Sequence, residues 1–302
     1  MNMDPTGREQ SGMPAGRGRF HWWIIIVFLA YAGYYYLSNR QESSLTGRTQ
    51  LIATNAQQDA ELGLQAYQQV LSQSQVVASG PEVEQVRQIA QRLEAVAPKV
   101  EAELAAEKGL KPSIDWSTFD WDVSVLQSDE VNAFCLPGGK IAVYTGLLPV
   151  AQNADALAIV MGHEISHALL RHGAERMAQQ HLAQIGTIAT GLAAGNMDPQ
   201  RQREVMGALG VGTQFGILLP FSRKDENEAD EIGLMLAAAA CFDPQAAIPL
   251  WQRMQEQGSA GRPPEFMSDH PSDAHRIQRL QELMPQALAM RAKFCNDAPP
   301  TH

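Results

Sequence analysis

The pentapeptide His163-Glu164-Ile165-Ser166-His167 constrains this chain more than any other stretch of it. Four positions along an α-helix turn the chain through about 400°, so the two imidazoles leave one helix face about one turn apart, close enough to share a metal ion. Glu164 lies about 100° round from His163, beside such an ion rather than on it, where a carboxylate can hold a water and take its proton. The flanking residues fit a helix: Leu157, Val160, Ile165, Ala168 and Leu169 form an apolar stripe with no Pro inside it. The helix is therefore expected to run from about Asn153 to Ala183 and to be buried on one side.

A catalytic zinc takes three protein ligands and keeps a fourth position for water. His172 is nearest in sequence, but nine positions after His163 it falls about 180° away on a continuous helix, which makes it a surface or core histidine. A metzincin continuation fails as well, because it requires Gly where Leu170 stands and His where Gly173 stands. The strongest source of the third ligand is the run from Phe221 to Gly233. Within it Glu226 and Asp230 are four apart on an expected helix and share a face, so one carboxylate can bind the metal while the other accepts the free imidazole N–H of a ligand. Taken alone, this charged run would read as a solvated helix face.

Sequence patterning places these residues in an α+β, mainly helical chain. Apolar residues recur at three and four positions over 55–75 and 81–108, as in amphipathic helices. Candidate strands follow at 120–126, 131–135 and 140–145, with Pro137-Gly138-Gly139 as the turn between the last two. Helical patterns return over 225–240, 244–257 and 272–290, the last with Ser272 as N-cap and Asp273 in its first turn. The stretches 182–195 and 205–221 are small-residue-rich and read as loosely packed helices over the site, or as a membrane-dipping hairpin.

Residues 20–37 carry no formal charge and would span roughly 27 Å as a helix, about enough to cross a bilayer, with Trp22 and Trp23 at one end and Tyr34, Tyr35 and Tyr36 at the other. They read as a signal anchor behind a disordered polar tail, 1–19, and ahead of a linker, 38–54. The catalytic domain then runs over 55–295, with a tail at 296–302. Arg8, Arg17 and Arg19 before the segment against Arg40 and Arg48 after it favour a cytoplasmic amino terminus and an exported catalytic domain, on the periplasmic side of a bacterial inner membrane. The competing reading is a signal peptide cleaved after Ala30-Tyr31-Ala32, leaving a secreted or periplasmic protein. The formal charge of -10 and the absence of a Lys/Arg cluster argue against a nucleic-acid partner. Of three cysteines, Cys241 can pair with Cys295 if the domain is exported, while three buried thiols remain the alternative.

At these residues the chain resembles the gluzincin peptidases that include the CAAX prenyl proteases, HtpX, the mitochondrial Oma-type proteases and the bacterial envelope proteases BepA and LoiP. The resemblance covers roughly 55–290 and rests on ordered motifs: Asn132-Ala133-Phe134 with Pro137-Gly138-Gly139-Lys140 and Tyr144-Thr145-Gly146, then HExxH, then Ser222-Arg223 with Glu226, Glu228, Ala229 and Asp230, then His270-Pro271 with Arg276. It implies a zincin-type domain with a small antiparallel sheet packed on the HExxH helix, and one zinc per subunit held by His163, His167 and Glu226. It further implies Asp230 as the orienting acid and the strand Asn132, Ala133, Phe134 as an edge that pairs with a polypeptide substrate. His270 would lie near the metal, steadying an oxyanion or capping the zinc in a latent form, and Arg276 would either pair with an acid near the site or be solvated. Cys135 departs from the family, where a small non-thiol residue is usual, and the chain lacks the multiple spans of HtpX and the prenyl proteases. The expected function is therefore hydrolysis of unfolded or misassembled envelope proteins, with Glu164 as general base and the membrane met through the amino-terminal segment. The rival readings are a metal-dependent assembly factor that binds such proteins without cutting them, and a zinc aminopeptidase.

Overall fold

The computed structural model describes residues 21–194, 221–259, 265–270 and 275–295. The expectations for 1–19, most of 205–221, Pro271, Ser272, Asp273 and 296–302 fall outside the described residues. Helix α1 (Trp22–Ser38) is 17 residues long, about 26 Å at 1.5 Å per residue, and contributes nothing to the buried core. No helix among the described residues is long and apolar enough to cross a membrane, and Phe20, the first residue of the expected span, lies outside them. Trp22, Trp23, Ile26, Val27, Leu29, Tyr34 and Leu37 are exposed along it. A short antiparallel hairpin follows, β1 (Arg40–Glu42) with β2 (Thr49–Leu51).

Helix α2 (Ala56–Gln73) starts at Asn55, whose side chain accepts from Gln58 N while the Gln58 side chain accepts from Asn55 N, a reciprocal cap that satisfies two otherwise unpaired donors. Helix α3 (Pro81–Glu107) begins with Pro81, whose missing N–H costs nothing in the first turn, and buries Val83, Val86, Ile89, Leu93, Val100 and Leu104 along one face. The strands are β3 (Asp122–Leu126), β4 (Ala133–Leu136) and β5 (Lys140–Tyr144). Spatial order is β3-β5-β4, antiparallel between β4 and β5 and parallel between β3 and β5, so the sheet against the HExxH helix is mixed. Gly138 and Gly139 both adopt φ +81, the left-handed region that a residue with a Cβ rarely enters, and so turn β4 into β5 within three residues.

After the short α4 (Leu148–Ala151), α5 (Ala154–Leu169) starts under an Asn153 side-chain cap and carries the HExxH residues. Every residue from Ala156 to Leu169 is buried, which corrects the one-sided burial expected of it. The long helix expected over 153–183 is two helices: Arg171 takes φ +52, and α6 (His172–Ala194) sets off in a new direction. Helix α6 carries α1 on its flank, with Tyr31 Oη 3.2 Å from His181 Nε2 and Phe28 against Gly186. Helix α7 (Arg223–Ala239) opens on a reciprocal cap between Ser222 and Asp225. Helices α8 (Ala247–Ser259), α9 (Glu265–Asp269) and α10 (Arg276–Phe294) complete the fold. A disulfide between Cys241 and Cys295 ties the end of α7 to the end of α10.

Helices α5 and α7 cross at Gly162 and Gly233. A Cβ on Gly233 would lie 2.6 Å from His163 N, and one on Gly162 would lie 2.8 Å from Gly233 O. Neither clash is with a flexible side chain, so relief requires the helices to separate. Gly233→Ala is expected to lower the melting midpoint by about 4–8 °C, corresponding to roughly 2 kcal/mol of overpacking in a domain of this size. Gly173→Ala, where an added Cβ meets nothing within 4 Å, serves as control and leaves the midpoint unchanged or raised. Equal melting of the two variants would contradict the close crossing.

Candidate metal centre

The α5–α7 crossing sets one turn of α7 directly over the HExxH turn. His163 Nε2 and His167 Nε2 lie 3.2 Å apart, and the Glu226 carboxylate lies 3.4 Å from each. His270, at the end of α9, adds Nδ1 at 3.3 Å from His163 Nε2 and 3.0 Å from Glu226 Oε1. With ligand bonds of 2.0–2.1 Å, neighbouring donors on a tetrahedral zinc stand about 3.3 Å apart. Two imidazole nitrogens, a carboxylate and a third imidazole at that mutual spacing match the edges of one tetrahedron. Glu226 Oε2 is moreover buried without a hydrogen-bond partner, a costly state that a cation would relieve. The residues present therefore fit a divalent cation.

The surroundings orient these donors. Asp230, one turn on from Glu226, faces His163 Nδ1 at 3.0 Å and accepts from Arg276 Nη2 at 2.6 Å. Arg276 is buried, its guanidinium 3.3 Å above the Trp251 ring, so its charge is screened from water while it fixes Asp230. Phe221 stacks on His167 with ring centroids 3.9 Å apart. Burial drives His167 well below its ordinary 6.5 and so keeps the imidazole neutral, the form that offers a lone pair. Burial acts on His163 in the same sense, but hydrogen bonds with Asp230 and Glu226 outweigh it and hold His163 above 6.5. For Glu226 burial favours the neutral acid, yet the surrounding imidazoles of His163, His167 and His270 win and hold the carboxyl far below the usual range.

Glu164 points to the other side of the same turn, its Oε1 3.5 Å from His270 Nε2. It lines a cleft of about 220 Å³ together with His167, His270, Phe221 and the β4 residues Ala133, Phe134 and Cys135, and Asn132 just before them. Among the described residues β4 has one strand neighbour, β5, so its other edge is open to an added strand. The structure thus brings together His163, His167, Glu226, His270, Asp230, Arg276 and Glu164, and lays Asn132, Ala133 and Phe134 along the cleft beside them. It places His172 elsewhere than expected: the break at Arg171 turns His172 back onto His167, where its Nδ1 is 3.0 Å from His167 Nδ1. No Gly or Pro marks that break, so residue type gave no sign of it. Glu228 and Arg48 join the same neighbourhood, and only a long-range contact could have put Arg48 there.

A family model described as Peptidase family M48 matches residues 85–284. The chain is 32% identical over 286 residues to the "Mitochondrial metalloendopeptidase OMA1" of Schizosaccharomyces pombe, covering 93% of this chain and 77% of that protein. It is 34% identical over 284 residues to the "Metalloendopeptidase OMA1, mitochondrial" of Danio rerio, covering 89% of this chain and 56% of that one. Identity to the "Beta-barrel assembly-enhancing protease" of Escherichia coli is 31% over 179 residues, 56% of this chain and 36% of that protein.

Protons and a metal ion compete for His163. Because its metal-free pKa lies above 6.5, metal affinity measured by chelator competition should start to fall, on acidification, at a pH above 6.5. Asp230→Asn should weaken affinity at neutral pH by about 10–100-fold and move that onset to lower pH, since a group that holds the proton on His163 is gone. An affinity flat across that range, or an unchanged onset in the variant, would refute the coupling.

Proposed function

Since the chain belongs to peptidase family M48, we propose that it is a zinc-dependent endopeptidase acting on unfolded or misassembled polypeptides of a cell envelope. The observation that carries this reading is the set of His163, His167 and Glu226 donors at tetrahedral spacing, with Glu164 beside them on the floor of a cleft whose wall is an open strand edge. A zinc held by these three, one per chain, would polarise the scissile carbonyl and lower the pKa of its water toward about 7. Glu164 takes that water's proton on its carboxylate and returns it to the leaving amine. Asp230, fastened by Arg276, keeps the His163 ring in place through its Nδ1 side.

Substrate enters as a strand. The free edge of β4 at Asn132, Ala133 and Phe134 offers its backbone groups to an extended chain, and mostly apolar walls from Val70, Phe134, Leu136 and Tyr144 favour apolar side chains of the kind an unfolded protein exposes. His270 stands at the fourth corner of the donor set, where the attacking water has to lie, so productive binding requires it to swing away; there its imidazole can steady the oxyanion. The segment 55–295 is read as the catalytic domain.

Two features support an exported domain at a membrane surface. The Cys241–Cys295 disulfide belongs to an oxidising compartment such as a periplasm, and the exposed aromatic and aliphatic side chains of α1 suit a lipid interface.

Wild-type protein should digest casein and an end-blocked peptide, and a chelator should stop both. Glu164→Gln should keep one zinc per chain and lose at least about 100-fold in casein cleavage. Digestion by that variant at the wild-type rate would remove Glu164 from its role, and binding of casein without any cleavage by wild type would favour an assembly factor instead.

A further inference from the structure

A metal-binding histidine ordinarily gives its second ring N–H to a carboxylate, a backbone carbonyl or water, which fixes both its tautomer and its orientation. His163 follows that pattern with Asp230. His167 does not: the group facing its Nδ1, at 3.0 Å, is the Nδ1 of His172, a wholly buried imidazole. His172 Nε2 in turn lies 3.1 Å from Glu228 Oε2, and Glu228 Oε1 accepts from Arg48 Nε at 2.6 Å. Arg48 also donates to Glu175 at 2.6 Å and reaches Asp225 at 3.4 Å.

With both imidazoles neutral, proton counting leaves one arrangement for this row. Arg48 can only donate, so Glu228 is an acceptor at both oxygens when ionised. His172 must then carry its proton on Nε2 to meet Glu228, which leaves its Nδ1 as a bare acceptor. His167 must therefore carry its proton on Nδ1, and its Nε2 lone pair is free to face Glu226 and His163, where a cation would sit. The three groups His172, Asp225 and Glu228 lie close enough to hold a second cation, but the Arg48 guanidinium already supplies the positive charge there. Arg48 belongs to the turn of the β1–β2 hairpin that follows α1, where its carbonyl accepts from Ser43 N at 2.9 Å.

We infer that His172 is a positioning residue that sets the tautomer and orientation of His167, and that Arg48, reaching in from the hairpin after α1, fixes His172 through Glu228. The inference rests on the metal reading proposed above and adds to it a physical link between the segment beside α1 and one metal ligand. The hairpin is held a second way, by Arg171, whose side chain donates to Gln41, Asp59 and the Thr54 carbonyl and has neither the His172 ring nor Glu228 among its hydrogen-bond partners. Arg171 therefore separates loss of the hairpin's seat from loss of the proton row.

The test is zinc affinity by chelator competition, with the absorption spectrum of the cobalt(II)-substituted protein as a second readout, on the full chain and four variants. His172→Phe removes both ring nitrogens and should weaken zinc by about 10–100-fold with an altered cobalt spectrum. His172→Asn, whose Oδ1 falls near the Nδ1 position, keeps an acceptor for His167 and should recover affinity to within about 3-fold of wild type. Arg48→Gln should weaken zinc by at least about 5-fold, while Arg171→Gln leaves both readouts as in wild type. Wild-type affinity in His172→Phe, no recovery in His172→Asn, or equal losses in Arg48→Gln and Arg171→Gln would overturn the inference. Should His172→Phe fail to fold, the Arg48, Arg171 and Asn variants decide it alone. Failure of wild type itself to bind zinc would instead sink the metal reading.

Discussion

Helices α5 and α7 touch backbone to backbone at Gly162 and Gly233, and the positions of the other groups in the site follow from that contact. Because no side chain separates the helices there, the carboxylates of Glu226 and Asp230 reach His163 and His167 directly rather than through water. A crossing an ångström wider would break the contacts of these carboxylates with His163 and His167, and loosening the pairing of buried charge is costly. The apolar burial along α5, continuous from Ala156 to Leu169, holds the crossing closed against that electrostatic demand. The site is thus a buried polar cluster inside a tightly packed apolar frame.

The two imidazoles of the HExxH turn are served in parallel but unequal ways. On one side Arg276 fastens Asp230, which faces His163 directly. On the other, Arg48 fastens Glu228, which reaches His167 only through His172. The first arrangement draws on α7 and α10, inside the catalytic core. The second draws on the hairpin behind α1, a helix that packs against α6 and carries exposed apolar side chains. One metal ligand is therefore braced by the core and the other by the chain's amino-terminal segment.

Much of this was legible in the sequence because it depended on short-range periodicity. The four-residue spacing of His163 and His167, and of Glu226 and Asp230, fixed which groups share a face, and Asn55 with Gln58 marked the start of α2. What escaped depended on contacts across the chain or on unmarked backbone geometry. Arg171 enters the left-handed region without being Gly or Asn, so a rotation counted along one continuous helix puts His172 on the wrong face. The parallel pairing of β3 with β5 escaped for a related reason: β4 comes between them in sequence but lies at the edge in space, and alternation of residue type carries no information on strand direction. Helix α1 carries the apolar character that its run of uncharged residues marks, over Trp22–Ser38.

A single cation shared by two helices is the centre of the proposed site. Anomalous diffraction at the zinc edge from crystals of the zinc-loaded full chain would locate it. One strong peak is expected within about 2.0–2.2 Å of His163 Nε2, His167 Nε2 and a Glu226 oxygen. A peak among His172, Asp225 and Glu228 instead, or no zinc site on α5 at all, would contradict it.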